Sequence, residues 1–231
     1  MTIYNVSTID GLVDSAAKNK FAFYRKSDKL QIDEKNMLAW SSIATYEASQ
    51  QESNKFYFEN IDQLCIQLNE VFYKNENTLE NTKRVLNQFG IKFITIPKLE
   101  KTPIDGYSFW SGDNPAIALT LRHGRIDSFT LMHEIGHIAI HLYNDRNSEF
   151  FDFYRDKNES IAEKEADDFA QTKLISTKVW NEIIEKHVPL NDDNIIELSS
   201  YYSINSAILF GRACYEMGTY AFKTKIDKKL K

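Results

Sequence analysis

Cysteine is scarce in this sequence, which contains only Cys65 and Cys214. The two residues lie far apart and show no C-x-x-C spacing, so a site built on that motif is excluded. Two lone thiols suit a reducing compartment. Long apolar runs are also missing, and the runs present are too short and too interrupted to span a bilayer. The first residues lack a basic region followed by an apolar stretch, so we expect no signal peptide, no membrane partner and a cytoplasmic location.

Basic charge is not in excess either. The 231 residues include 28 Lys and Arg against 33 Asp and Glu, which gives a formal net charge of −5. A mildly acidic chain is a poor candidate for binding nucleic acid over a broad surface, and no helix-turn-helix segment is recognisable. We therefore expect no direct DNA binding. Hydrophobic residues make up 42% and charged residues 26%, a globular composition in a chain long enough to bury a real core.

The hydrophobic pattern predicts an α+β fold that is mostly helical. Alternating β-branched residues predict a strand at 91–96. The turn sequence Ser-Gly-Asp-Asn predicts a hairpin between 107–110 and 115–121, and Pro115 suits an edge strand. We place a domain boundary near residue 76, at the polar sequence KNENT. Apolar residues at spacings of three and four predict helices at 8–19, 34–53, 60–73, 79–89, 127–141, 160–174, 177–187, 192–200 and 204–217.

The segment FTLMHEIGHIAIH contains the pattern His133-Glu134-x-x-His137. Residues four apart lie on one face of a helix, so both imidazoles can bind one ion, and their nitrogens suit Zn²⁺. Glu134 lies about 100° around the helix from His133. Its carboxylate can therefore reach a zinc-bound water and act as general base without binding the metal. The competing interpretation is a buried apolar helix whose two histidines are satisfied within the core.

A catalytic zinc site needs a third protein ligand. The predicted helix ESIAEKEADDFAQTKLI offers Glu163 and Glu165, which a helical wheel does not separate. Glu163 shares a face with Asp167, so one carboxylate can bind the ion while the other holds His133 in the required tautomer. We therefore favour Glu163 as the ligand and keep Glu165 as the alternative. A solvated acidic helix start is the competing interpretation.

Three further side chains near the motif have less defined roles. His141 continues the histidine stripe, but three histidines on one straight helix cannot readily surround an ion, so we expect a structural or cleft-edge role. Arg122 and Arg125 precede the motif and could bind substrate carbonyls or an acidic partner. Local pairing in a solvated turn explains the two arginines equally well.

The motif FTLMHEIGHIAIH followed by EKEADDFA resembles the ImmA/IrrE family of zinc-dependent peptidases, which are often fused to helix-turn-helix regulators or encoded beside them. The segments FAFYRKSDKLQIDEKNMLAWSSIATYEA, TPIDGYSFW, PAIALTLRHGRIDSF and SAILFGRACYE extend the likeness from about residue 21 to about residue 217. The resemblance implies a zincin-like metallopeptidase domain at 77–231 after a helical region at 1–76. In that domain a small antiparallel or mixed sheet packs against the metal helix.

The resemblance also implies a gluzincin-like site and a way of binding substrate. Residues 115–121, including Ala118 and Leu119, would form an edge strand that pairs with an extended substrate backbone. Such proteins act on repressors or antitoxins of mobile elements, or in stress responses. Carried over by position, Glu134 would be the base, Asp167 would hold a ligand, and the zinc ligands would be His133, His137 and Glu163.

Two functions from different classes follow. The first is a Zn²⁺-dependent metalloendopeptidase that cleaves one regulatory protein, a repressor or antitoxin. The second is a non-catalytic antitoxin or adaptor that uses the same fold to bind such a protein. A metal-free helical domain is a third interpretation, and metal analysis of the purified protein separates it from both.

Overall fold

The computed structural model describes residues 32–121, 127–153, 160–186, 190–219, 221–228 and 230. A 3₁₀ turn, Phe58–Asn60, leads into the helix that begins at Ile61. The helix that carries His133 and His137, called the metal helix below, continues as a π-helix over His137–Leu142. The predicted α+β, mostly helical class is confirmed. The elements in chain order are α1 (Glu34–Gln50), α2 (Ile61–Lys74), α3 (Thr78–Gln88), β1 (Lys92–Ile96), β2 (Ile104–Ser111), β3 (Asn114–Thr120), α4 (Ser128–Gly136), β4 (Phe150–Phe153), α5 (Ile161–Leu174), α6 (Thr177–Lys186), α7 (Asp192–Tyr202) and α8 (Ser206–Glu216).

Most predicted helices have bounds within two residues of those observed, but α1 ends at Gln50 rather than at residue 53. The next residue, Gln51, is extended and leaves the helix. Its side-chain amide accepts a hydrogen bond from the Phe93 N–H at 2.7 Å and donates one to the Phe93 carbonyl at 3.3 Å. The amide thus pairs with the outer edge of β1, where an unpaired strand edge would otherwise be open. The helix predicted at 8–19 lies outside the described residues.

The four described strands form one mixed sheet in the order β1-β3-β2-β4. The predicted β2–β3 hairpin is confirmed, with Gly112 at a φ of 67° in its turn. β1 pairs in parallel with β3, so the prediction that 115–121 forms an edge strand is wrong. The hydrophobic pattern identified both strands but carries no information about which strands pair. Pro115 lies one residue before the parallel ladder begins at Ala116, so its missing N–H costs no bond to β1.

The sheet is covered on both faces because alternate residues of its strands enter two different hydrophobic clusters. Ile117 and Leu119 of β3 join the larger cluster, which includes the metal helix. Ala116 and Ala118 face the opposite way, into a smaller cluster formed with α1. In that cluster α1 contributes Met37, Trp40, Ala44 and Ala48, all fully buried. The metal helix therefore packs against the face of the sheet that carries Ile117 and Leu119.

The larger cluster joins residues from both sides of the predicted boundary near residue 76. Leu64, Leu68 and Phe72 of α2 belong to the same buried cluster as Leu131 and Ile135 of α4. The division into 1–76 and 77–231 stays a prediction. Among the described residues, no helix combines the length and the apolar character needed to cross a membrane.

β4 is a strand that the sequence pattern did not predict. It is only four residues long and pairs antiparallel with β2 at one edge of the sheet. Phe151 and Phe153 enter the smaller cluster, so Phe150 and Asp152 face the side of the sheet that carries the metal helix. The short aromatic segment F-F-D-F was the available signal, but it is too short to be distinguished from a loop. β4 therefore adds a sheet edge beside the metal helix.

Candidate metal centre

The metal helix α4 is fixed at its start and closely packed at its end. The Asp127 carboxylate accepts hydrogen bonds from the backbone N–H groups of Phe129 and Thr130 at 2.9 and 3.1 Å, which caps the helix. At the other end, a Cβ added to Gly136 would lie 3.1 Å from Ala166 Cα. Because these two residues are small, α4 and α5 can cross closely. The crossing brings the carboxylates at the start of α5 next to the histidines of α4.

The first turn of α5 is also fixed locally. Ser160 Oγ accepts a hydrogen bond from the Glu163 N–H at 3.2 Å, so the helix begins at Ile161. This is the N-terminal half of the capping box that the sequence pattern indicates. Glu163 is thereby held one turn from the helix start, facing α4.

Three donor atoms converge between the two helices. His133 Nε2 lies 3.0 Å from His137 Nε2. Glu163 places one carboxylate oxygen 3.2 Å from His133 Nε2 and the other 3.5 Å from His137 Nε2. Both histidines are buried, and the three residues together could hold a metal ion. Two imidazole nitrogens and one carboxylate oxygen are a donor set that suits Zn²⁺ and leaves a fourth position free.

The two carboxylates that the helical wheel could not separate have different partners. Glu163 lies with the imidazole pair, whereas Glu165 lies 3.0 Å from His141 Nε2. Asp167, four residues after Glu163, accepts a hydrogen bond from His133 Nδ1 at 2.8 Å. In its neutral form, with the proton kept on Nδ1 by Asp167, His133 directs the Nε2 lone pair toward the donor cluster.

The pKa values of the two clustered histidines are shifted in opposite directions. Burial, together with the charges of His133 and His141, lowers the pKa of His137 to about 2. Burial also acts to lower the pKa of His133, but hydrogen bonds to Asp167 and Glu163 outweigh it and raise that pKa to about 11. Two Nε2 atoms 3.0 Å apart cannot both carry a proton. A cation that binds between them must therefore displace a proton from His133.

The Glu134 side chain lies beside the donor cluster and is buried without the hydrogen bonds that a carboxylate normally makes. It is fully buried, and neither carboxylate oxygen makes a well-directed hydrogen bond within the part of the chain that the structure describes; the Ser108 hydroxyl lies only near enough to act on its pKa. Burial raises its pKa well above the usual value, while the nearby charge of His133 opposes the shift. Its carboxylate lies against Gly106 of β2, where any Cβ would overlap it. A buried, unpartnered carboxylate is costly in a fold, and such groups concentrate at functional sites.

The model of the IrrE N-terminal-like domain, the Peptidase_M78 family, matches residues 86–209. The chain belongs to this family. The match supports the predicted ImmA/IrrE resemblance and a metallopeptidase-type domain. A comparison with curated proteins finds no match. The matched range contains all three clustered donors, Glu134 and Asp167, so this Peptidase_M78 domain includes the whole candidate metal centre.

The strand predicted to bind substrate, β3, lies in the interior of the sheet of this Peptidase_M78 domain. β3 is paired on both sides, and its residues Ala118 and Leu119 are 0% and 2% exposed. The prediction that they pair with a substrate backbone is therefore wrong, because an inner strand has no free backbone edge. Arg122 and Arg125, the other predicted substrate-binding residues, lie outside the described residues.

β4 brings two residues to the metal centre that sequence reasoning missed. The Phe150 ring stacks on the His137 ring, with centroids 4.4 Å apart and an interplanar angle of 14°. Asp152 pairs in register with Gly106, the residue against which Glu134 rests. Burial raises the pKa of Asp152 to about 7, with the charge of His133 opposing the shift. The edge strand thus contributes an aromatic wall and a further acidic group.

Proposed function

We propose that this chain is a zinc-dependent metalloendopeptidase that cleaves one specific protein. The observation that carries the proposal is a three-donor cluster beside a buried carboxylate that has no partner of its own. His133 and His137 would bind Zn²⁺ through Nε2, and Glu163 would bind it through its carboxylate. The donor set fits this ion, and the membership of the Peptidase_M78 family supports the same chemistry.

The metal ligands, the base and Asp167 divide the work of hydrolysis. When bound, Zn²⁺ polarises the scissile carbonyl and lowers the pKa of the attacking water. Glu134 accepts a proton from that water at its free carboxylate oxygen and then gives the proton to the leaving amine. Its burial makes it a stronger base than an exposed glutamate. Asp167 keeps the proton of His133 on Nδ1, so that Nε2 stays available to the ion.

The substrate segment binds along β4 in this proposal. β4 is the outermost described strand on the side of the metal helix, and β2 pairs with only one of its edges. An extended peptide can add to such an edge through main-chain hydrogen bonds. Phe150 and Asp152 would then flank the peptide on the side of the metal centre. The ImmA/IrrE resemblance favours a repressor or an antitoxin as the protein cleaved.

The test compares one substitution in the base with one in a ligand. Glu134→Gln should retain zinc and lose cleavage, because the amide cannot accept a proton. His137→Ala should lose both zinc and cleavage. Asp168→Asn, a carboxylate-to-amide change at an exposed position of α5, is the matched control and should alter neither.

Zinc content is measured by elemental analysis, and cleavage is measured by mass spectrometry of proteins encoded by neighbouring genes after incubation with the enzyme. An active Glu134→Gln variant would refute the assignment of the base. A stable complex in which every partner stays intact would favour the non-catalytic binding function instead.

A further inference from the structure

His141 and Glu165 make contacts that the proposed hydrolysis does not use. His141 Nδ1 lies 3.0 Å from His137 Nδ1, on the side of the His137 ring away from the donor cluster. His141 Nε2 lies 3.0 Å from a carboxylate oxygen of Glu165. Both nitrogens of His141 are therefore engaged, and neither faces the metal position. A chain of hydrogen bonds runs from α5 through His141 to the ligand His137.

The same four-residue spacing gives two different histidine contacts along this helix. His133 and His137 meet through their Nε2 atoms at 3.0 Å, whereas His137 and His141 meet through their Nδ1 atoms at 3.0 Å. The winding changes from α to π at His137. π-helical turns are rare in proteins, and those that occur are often found at functional sites. The helix thus changes from α to π at His137, the residue whose Nδ1 atom contacts His141.

With neutral rings, one proton arrangement satisfies both contacts of His141 and also leaves the Nε2 atom of His137 without a proton. If His137 offers its Nε2 lone pair to an ion, its proton is on Nδ1 and is donated to His141 Nδ1. His141 then carries its own proton on Nε2 and donates it to Glu165. In the reverse arrangement, His141 would donate from Nδ1, and the proton of His137 would occupy Nε2. That proton would block the binding of a cation.

We propose that Glu165 and His141 are positioning residues that keep the proton of His137 on Nδ1 and so prepare its Nε2 for metal. The inference rests on the proposed zinc site. Phe150 supports the arrangement by stacking on the His137 ring, with centroids 4.4 Å apart, and by lying tilted against the His141 ring, with centroids 5.0 Å apart. His137 would thus have a relay equivalent to the Asp167 carboxylate that holds His133. Each of the two histidine ligands is then oriented by a carboxylate of α5.

Zinc affinity of the full chain, measured by competition with a chromophoric chelator, tests the relay. His141→Phe keeps the ring and removes both hydrogen bonds, so it should weaken zinc binding about 10- to 100-fold. His141→Asn places an oxygen near the position of Nδ1 and should recover much of that loss. Glu165→Ala should weaken binding about tenfold or more. Asp168→Ala, an exposed acidic residue of the same helix, should leave the affinity unchanged.

Two further measurements separate the relay from a merely structural contact. Because Glu165 acts through His141, Glu165→Ala should cost nothing more when it is introduced into the His141→Phe variant. Imidazole ¹⁵N spectra of the zinc-loaded protein should report protons on His137 Nδ1 and His141 Nε2. Wild-type zinc affinity in both Glu165→Ala and His141→Phe, or a proton on His141 Nδ1, would overturn the relay. A wild-type chain that binds no zinc would instead overturn the proposed function.

Discussion

Gly106 is the position where a single methyl group should separate metal binding from catalysis. Its Cα lies against the carboxylate of Glu134, and an added Cβ would overlap Oε1 and lie 2.7 Å from Cδ and 2.9 Å from Cγ. Real Cβ atoms do not approach other atoms so closely, so Gly106→Ala must displace either the carboxylate or the strand. β2 is held by pairing with β3 and β4 on its two sides. We therefore expect the side chain of Glu134 to move.

Gly106→Ala should lower both the stability of the fold and the turnover of the enzyme. Overpacking in a well-packed interior costs about 1–3 kcal/mol, so the free energy of unfolding should fall by that amount. A displaced general base should reduce turnover by about 100-fold or more. Zinc affinity should stay near the wild-type value, because the atoms nearest the added Cβ all belong to Glu134 and not to the three proposed zinc ligands.

The experiment measures urea unfolding, zinc stoichiometry and turnover on the same protein preparations. Gly211→Ala in α8 is the matched control, since a Cβ there meets nothing within 4 Å. It should keep full turnover and gain up to about 1 kcal/mol of stability, as alanine favours a helix over glycine. Normal turnover in Gly106→Ala would refute the reasoning that Glu134 must rest against β2 to act as the base.

Two more predictions follow from the contacts described above. Zinc must displace a proton from His133, whose pKa is raised to about 11, so the apparent zinc affinity should rise up to tenfold per pH unit between about pH 6 and pH 8. Calorimetry in buffers of different ionisation enthalpy counts the released proton, and a pH-independent affinity would contradict this account. Gln51→Ala removes two hydrogen bonds to the edge of β1 and should lower the free energy of unfolding by about 1–2 kcal/mol in urea titrations. Gln50→Ala, which removes only an exposed bond to Ser49, should change the stability by less than about 0.5 kcal/mol.

Local sequence patterns determined the helices and the residues that face one another along them. The i, i+4 spacing predicts that His133 and His137 share a face, and that Glu163 and Asp167 do so on a second helix. Only the crossing of α4 and α5, allowed by Gly136 and the small Ala166, brings the two pairs to within 3.5 Å. The choice between Glu163 and Glu165 was decided in the same way, because the contact of Glu165 with His141 depends on how the helices cross.

By itself, the sequence determined periodicity, caps and turns, because these depend on residues a few positions apart in one segment. It determined the pairing of β2 with β3 through the hairpin turn, but it could not determine how strands distant in sequence pair. β3 became an inner strand through β1, more than 20 residues earlier, and the short β4 became the edge beside the metal centre. The contact of Gly106 with Glu134 has the same origin. Strand order and contacts across the sheet depend on which distant segments bury their apolar faces together, and that is a property of the packed tertiary structure.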